Sequence, residues 1–106
     1  MDLPNRPVPL KSTFASDPDM AELVSEFAAE MPEKARELSA LWDSQKLDEL
    51  SRLAHQLKGA SAGYGFEVLG LSAGRLEAGL KCAERDLESI RASLDELVAL
   101  CGRVSA

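Results

Sequence analysis

From residue 17 onward, apolar residues recur at intervals of three and four along almost the whole chain, the spacing of helices that bury one face. The first stripe is Met20, Leu23, Val24, Phe27, Ala28, Met31, Ala35, Leu38, Leu41 and Trp42. Its phase passes unbroken through Pro32. A proline inside a helix removes one backbone hydrogen bond and bends the axis, so the pattern predicts one bent helix over 18–43. Asp17-Pro18-Asp19 supplies its start, with Asp17 as N-cap and proline at the first helical position. A second stripe, Leu50, Leu53, Ala54, Leu57, Ala60, Ser61 and Tyr64, predicts a helix over 46–63 with Asp43 or Ser44 available as its cap. Gly63-Tyr64-Gly65 stops it, because glycine after the last periodic residue favours a left-handed C-terminal cap; Tyr64, on the stripe, reads as a packing residue. Phe66, Leu69, Ala73, Leu76, Leu80 and Ala83 define a third helix over 66–82. Leu87, Ile90, Leu94, Leu97, Cys101 and Val104 define a fourth over 86–104, capped by Asp86. Short connections between long amphipathic helices imply an all-α, antiparallel up-and-down four-helix bundle without sheet. Residues 1–16 carry Pro4, Pro7 and Pro9 and little periodicity, which predicts an extended N-terminal arm ahead of a bundle formed by 17–106. Leu10 and Phe14 are the arm residues able to dock on that bundle.

Composition narrows the function more than the fold. A chain of 106 residues, 45% hydrophobic and 28% charged, suits one compact domain. Its net charge of −6 and pI near 4.7 argue against an extended nucleic-acid surface, which needs clustered Lys and Arg. No apolar run approaches the ~20 residues that span a bilayer, and MDLPNRPVPL lacks the pattern of a signal peptide. The expectation is a cytoplasmic monomer without membrane association. Cys82 and Cys101 have no C-x-x-C spacing and cannot complete a zinc site with the single histidine unless carboxylates join in. They read as buried or half-buried free thiols, and no metal site is expected. Gly70 and Gly74 form a G-x-x-x-G spacing on a helix that also carries Glu67, Arg75 and Glu77, which favours close packing between helices, or mere tolerance of glycine, over membrane dimerisation. On that helix Leu71 falls opposite the apolar seam and Val68 at its border, minor candidates for a partner patch.

The single histidine is the candidate for chemistry. Winding 46–63 at about 100° per residue puts His55 opposite the apolar stripe, so its ring points to water. Ser51 and Arg52 lie one turn before it, and Lys58 and Gly59 one turn after. Lys58 disfavours the imidazolium and can neutralise a phosphoryl group attached to the ring. Glycine inside a helix costs about 0.5–1 kcal/mol relative to alanine, so Gly59 beside an exposed histidine suggests that something large approaches the backbone there. Ala62 keeps the same face small. The bland alternative is a solvated histidine with no role.

The H-x-L-K-G core His55-Gln56-Leu57-Lys58-Gly59, the hydroxyl residue Ser61 and the closing Gly65 resemble the histidine-containing phosphotransfer (HPt) domain of multistep phosphorelays. The longer run LAHQLKGASAGYGF is similar to one branch of that family, with a departure at Gly63, where many members carry a polar residue such as asparagine. The resemblance covers nearly all of the chain and implies a four-helix bundle in its own right. It implies that His55 accepts a phosphoryl group from a receiver-domain phosphoaspartate, or from a histidine kinase, and passes it to a receiver aspartate. Nε2 is then the accepting atom, Lys58 neutralises the phosphoryl charge, and Ser51, Arg52, Gly59 and Ala62 meet the partner. The implied partners are response-regulator receivers and an upstream histidine kinase or hybrid kinase. No cofactor is expected on this chain, since magnesium belongs to the receiver. The sequence contains no glycine-rich nucleotide loop or Walker-type motif, in keeping with a phosphotransfer intermediate that is not an autonomous kinase. Two other classes compete: a helical adaptor bundle in which His55 is incidental, and a self-contained enzyme with His55 as general base. The last lacks a second histidine and a nucleophile with an orienting carboxylate, Ser51 being the only hydroxyl within a turn.

Overall fold

The structure, a computed structural model, describes residues 8–106, so Pro4, Pro7 and the rest of the first seven residues lie outside it. Four helices form the fold: α1 (Ala21–Asp43), α2 (Leu47–Gly63), α3 (Glu67–Lys81) and α4 (Leu87–Cys101). Each packs on the next, and α4 packs back on α1, which closes the four-helix bundle. The core is built from the four expected stripes, with Val24, Met31, Leu38, Leu50, Ala54, Phe66, Leu69, Ala73, Leu76, Leu80, Ile90 and Leu97 almost wholly withdrawn from solvent. Tyr64 packs its ring on Phe27, with centroids 5.0 Å apart. Four stripe positions fall outside the core: Leu23 and Leu87 are exposed apolar residues, Ala28 is half-buried beside it, and Ala83 lies beyond the end of α3 on the exposed connection. Among the described residues no helix is long and apolar enough to cross a membrane.

The helix ends differ from expectation in three places. α1 starts at Ala21 rather than 18, because Asp17 organises a separate turn: its Oδ1 accepts from the Asp19 N–H (2.9 Å) and its carbonyl from the Met20 N–H (3.0 Å). From there α1 runs unbroken through Pro32. Neither Asp43 nor Ser44 caps α2, which begins after Lys46 with no side-chain cap. Those residues instead belong to the end of α1, where Gln45 takes a left-handed conformation (φ 58°) while its N–H reaches the Trp42 carbonyl and that of Lys46 reaches Leu41. α4 ends at Cys101 rather than near 104, because Val104–Ser105 turn into a short strand. Asp86, by contrast, caps α4 as expected, its side chain accepting from the N–H groups of Glu88 and Ser89.

That short strand, β2 (Val104–Ser105), pairs in parallel with β1 (Leu10–Lys11), a two-residue sheet where none was expected. Ser12 then donates its hydroxyl to the Tyr64 carbonyl (2.5 Å), and the Thr13 N–H donates to the Gly65 carbonyl (3.0 Å). Residues 10–14 therefore fasten on two places, the C-terminal strand and the end of α2. Gly65 makes the second attachment possible. With φ at 83° it closes α2 in the paired-bond C-cap, its own N–H on Ala62 and that of Phe66 on Ser61. A β-carbon at Gly65 would lie 2.6 Å from the Ser12 hydroxyl.

Candidate functional site

His55 sits midway along α2, opposite Leu50, Ala54, Leu57 and Ser61, which the core holds. Its side chain is 67% exposed. Lys58, Gly59 and Ala62 continue the exposed surface of α2, and Arg52 lies exposed before it with no ion-pair partner among the described residues. Ser51 is half-buried and faces the far end of α3, where it shares a hollow with Lys81 and Cys82. A β-carbon at Gly59 would meet nothing within 4 Å, so the fold does not require glycine there.

The ring is held from α3. Glu77, only 8% exposed, accepts from His55 Nδ1 at 2.8 Å through Oε2. An ionised carboxylate can only accept, so the hydrogen sits on Nδ1 and Nε2 is left unprotonated in the neutral ring. No hydrogen-bond partner for Nε2 occurs among the described residues. Lys81 Nζ meets the same Oε2 at 2.7 Å, and Lys58 Nζ stands 4.0 Å from Oε1. The Lys81 hydrogen bond holds the Glu77 carboxyl below its ordinary value; burial opposes this, and His55 adds to the lowering. Glu77 is thus an ionised, nearly buried acceptor on which an imidazole and two ammonium groups converge.

Small residues set the spacing between the two helices. At Gly70 a β-carbon would come within 3.3 Å of the Lys58 carbonyl, and at Gly74 within 3.5 Å of the Lys58 side-chain Cδ. Glycine at position 70 lets α3 approach the backbone of α2, whereas at position 74 a β-carbon would make ordinary contact with the Lys58 stem, so close packing explains the first glycine and the second is tolerated. Glu77 and Lys81 were not among the residues singled out from sequence. The available signal was register: Glu77 stands four residues after Ala73 and three before Leu80, on the buried stripe, where an acid requires a partner. Of the two free thiols, Cys101 is buried and pushed up to about 11 by desolvation, while Cys82 is exposed, contrary to expectation, because it follows the last turn of α3. No group of residues suited to a metal occurs among the described residues.

The family model described as "Hpt domain" matches residues 22–105, and the chain belongs to that family. Membership assigns it to phosphorelay signalling through histidine phosphotransfer, whose modules interact with receiver domains and kinases. No curated protein and no solved structure matches the chain.

The lowered carboxyl of Glu77 predicts a pH dependence of stability. A depressed folded value favours the charged carboxylate in the native state, so its contribution is fully present above the unfolded carboxyl value of 4.5 and is lost as pH falls through the lower folded value. Glu77→Gln removes the titration while preserving shape. Urea unfolding of both proteins across the acid range is expected to show wild type losing more stability than Glu77→Gln below pH 4.5. Parallel curves would contradict the ionised pairing.

Proposed function

We propose that His55 accepts a phosphoryl group at Nε2 from the phosphoaspartate of a receiver domain, or from a histidine kinase, and passes it to a receiver aspartate. The observation that carries this reading is the exposed ring whose Nδ1 is bonded to nearly buried Glu77 at 2.8 Å, with Nε2 left free for an incoming phosphorus. In the transfer an N–P bond forms at Nε2 as the acyl-phosphate P–O bond breaks, and the bonding pair leaves on the donor aspartate. The ring becomes cationic while keeping its Nδ1 hydrogen, and Glu77 carries the matching negative charge. Catalysis of this kind is mostly positioning and electrostatics, with aspartate and magnesium supplied by the receiver. Lys81 keeps Glu77 ionised. Lys58, whose side chain is 56% exposed, can swing from Glu77 to the attached phosphoryl group.

Transfer from a phosphorylated receiver to the purified chain, read as acid-labile label, tests the reading, and two variants sharpen it. Lys58→Ala is expected to slow transfer or shorten the life of the phosphorylated form without abolishing it, because a solvent-screened cation assists but does not react. Unchanged kinetics would remove the role assigned to Lys58. Gly59→Leu is expected to leave helicity equal or slightly higher, since leucine is the better helix former by several tenths of a kcal/mol, while receiver transfer collapses because the new side chain stands where the partner must approach. Normal transfer by folded Gly59→Leu would remove the access argument. Failure of wild type to take up any label would favour the adaptor reading.

A further inference from the structure

Glu77 is shared unequally by its two lysines. Lys81 Nζ bonds Oε2 at 2.7 Å, the same oxygen that accepts from His55 Nδ1 at 2.8 Å, whereas Lys58 Nζ stands 4.0 Å from Oε1. Lys81 comes from the last turn of α3, four residues after the glutamate. That order and spacing is the favourable one for an acid and a lysine on a helix, and a cation there also suits the negative end of the helix dipole. Arg85, the next cation along the chain, is engaged elsewhere, on the Leu80 carbonyl (2.8 Å) and on Asp48 (3.5 Å). Lys81 is also the chief cause that holds the Glu77 carboxyl below its ordinary value.

A glutamate side chain has many rotamers to lose, and the bond made within α3 turns one oxygen toward the ring. Which nitrogen of a neutral imidazole carries the hydrogen is set by the bond the other nitrogen makes. An oxygen held at Nδ1 keeps the hydrogen there and leaves the electron pair of Nε2 available to phosphorus. Without Lys81 the remaining ammonium at Glu77 is Lys58, on the side of Oε1. The carboxylate then turns toward Lys58, its hold on Nδ1 weakens, and Lys58 is drawn away from the phosphoryl group. The two ring nitrogens point away from each other, so Lys81, bonded to the oxygen at Nδ1, stands on the edge of the ring away from the incoming phosphorus.

We infer that Lys81 is a positioning residue for the transfer that acts only through Glu77: it holds Oε2 against Nδ1, which selects the reactive tautomer of His55 and leaves Lys58 free for the phosphoryl group. This rests on the phosphotransfer reading above, yet the tautomer can be read on the unphosphorylated chain. Wild type, Lys81→Met, Lys81→Arg, Glu77→Gln and the double variant Glu77→Gln/Lys81→Met are compared in two measurements, nitrogen-detected NMR of the single imidazole under conditions where the ring is neutral, and the rate of labelling by phosphoramidate, which needs no docked partner. In the labelling reaction the donor N–P bond breaks, its electron pair leaving with ammonia, as the new N–P bond forms at Nε2. The Lys81 side chain is 64% exposed, so its variants are expected to keep the wild-type circular dichroism spectrum. Wild type and Lys81→Arg, whose guanidinium can donate to the same oxygen, are expected to show the Nδ1–H tautomer and to label at the same rate. Lys81→Met is expected to mix in the Nε2–H tautomer and to label about threefold to tenfold more slowly, the range of coupling between groups in contact. The amide of Glu77→Gln both donates and accepts, so tautomer selection is already lost there, and adding Lys81→Met is expected to change neither tautomer nor rate further. Equal slowing by Lys81→Met in both backgrounds, with the tautomer unmoved, shows Lys81 acting on the phosphoryl group itself and overturns the inference. A wild-type tautomer and rate in Lys81→Met overturn it as well. Absence of label on wild type from phosphoramidate and from a phosphorylated receiver overturns the phosphotransfer reading, and the tautomer in Lys81→Met then still reports whether Lys81 aims Glu77.

Discussion

His55→Gln is expected to accept no phosphoryl group at all while folding as well as wild type. The two halves of that expectation come from separate facts. Glutamine has no ring nitrogen to attack phosphorus, and His55 is the only histidine in the chain, so nothing remains to carry an acid-labile phosphoramidate. The side chain is 67% exposed and opposite the core stripe, and substitutions at such positions change stability by about 0.5 kcal/mol or less. Glu77 keeps its 2.7 Å partner Lys81 in the variant, so no carboxylate is stranded. Phosphorylation assays beside urea unfolding check both halves. Acid-labile label surviving in His55→Gln would end the assignment of the acceptor, and a loss of several kcal/mol would show that the histidine supports the fold.

The second large effect is expected at Gly65, far from the chemistry. An L-residue in the left-handed region is disfavoured by about 1–2 kcal/mol, and at Gly65 (φ 83°) a β-carbon would also press on Ser12, Thr13 and Phe14, at 2.6, 2.6 and 2.9 Å. Gly65→Ala is therefore expected to destabilise the protein by about 2–4 kcal/mol, the range in which a named backbone and packing conflict is felt. The conflict lies between the cap of the histidine helix and residues 12–14, so relief requires displacing one of them. Urea unfolding, with amide exchange at Thr13, whose N–H is bonded to the Gly65 carbonyl at 3.0 Å, reads both consequences. A change below about 0.5 kcal/mol would mean that neither the backbone conformation nor the contact matters.

The four helices were legible because their stripes are long and strictly periodic, and the position of His55 opposite such a stripe needed no tertiary information. Asp86 was legible as a cap because its effect is local. The errors follow from what periodicity leaves out. Asp17 resembles a helix start in sequence, yet its side chain closes a turn of its own, and only the backbone geometry distinguishes the two. Gln45 adopts a conformation that glycine or asparagine would have advertised. The strand pairing of Leu10–Lys11 with Val104–Ser105 joins segments more than ninety residues apart over two residues each, too short for any alternation to register. Glu77 is the most instructive omission. Its bond to His55 spans 22 positions and depends on the register of α3 against α2, which Gly70 helps to set through its close approach to Lys58 and Ser61. From sequence it was one more charge on a helix. In the fold it is the group that decides which nitrogen of His55 faces out.

The decisive measurement concerns that nitrogen. With the chain phosphorylated by its receiver, nitrogen-detected NMR of the single imidazole distinguishes a phosphoryl group on Nε2 from one on Nδ1. The geometry predicts modification at Nε2 alone, with Nδ1 still protonated and bonded to Glu77. A phosphoryl group on Nδ1, or on any residue other than His55, would contradict the account.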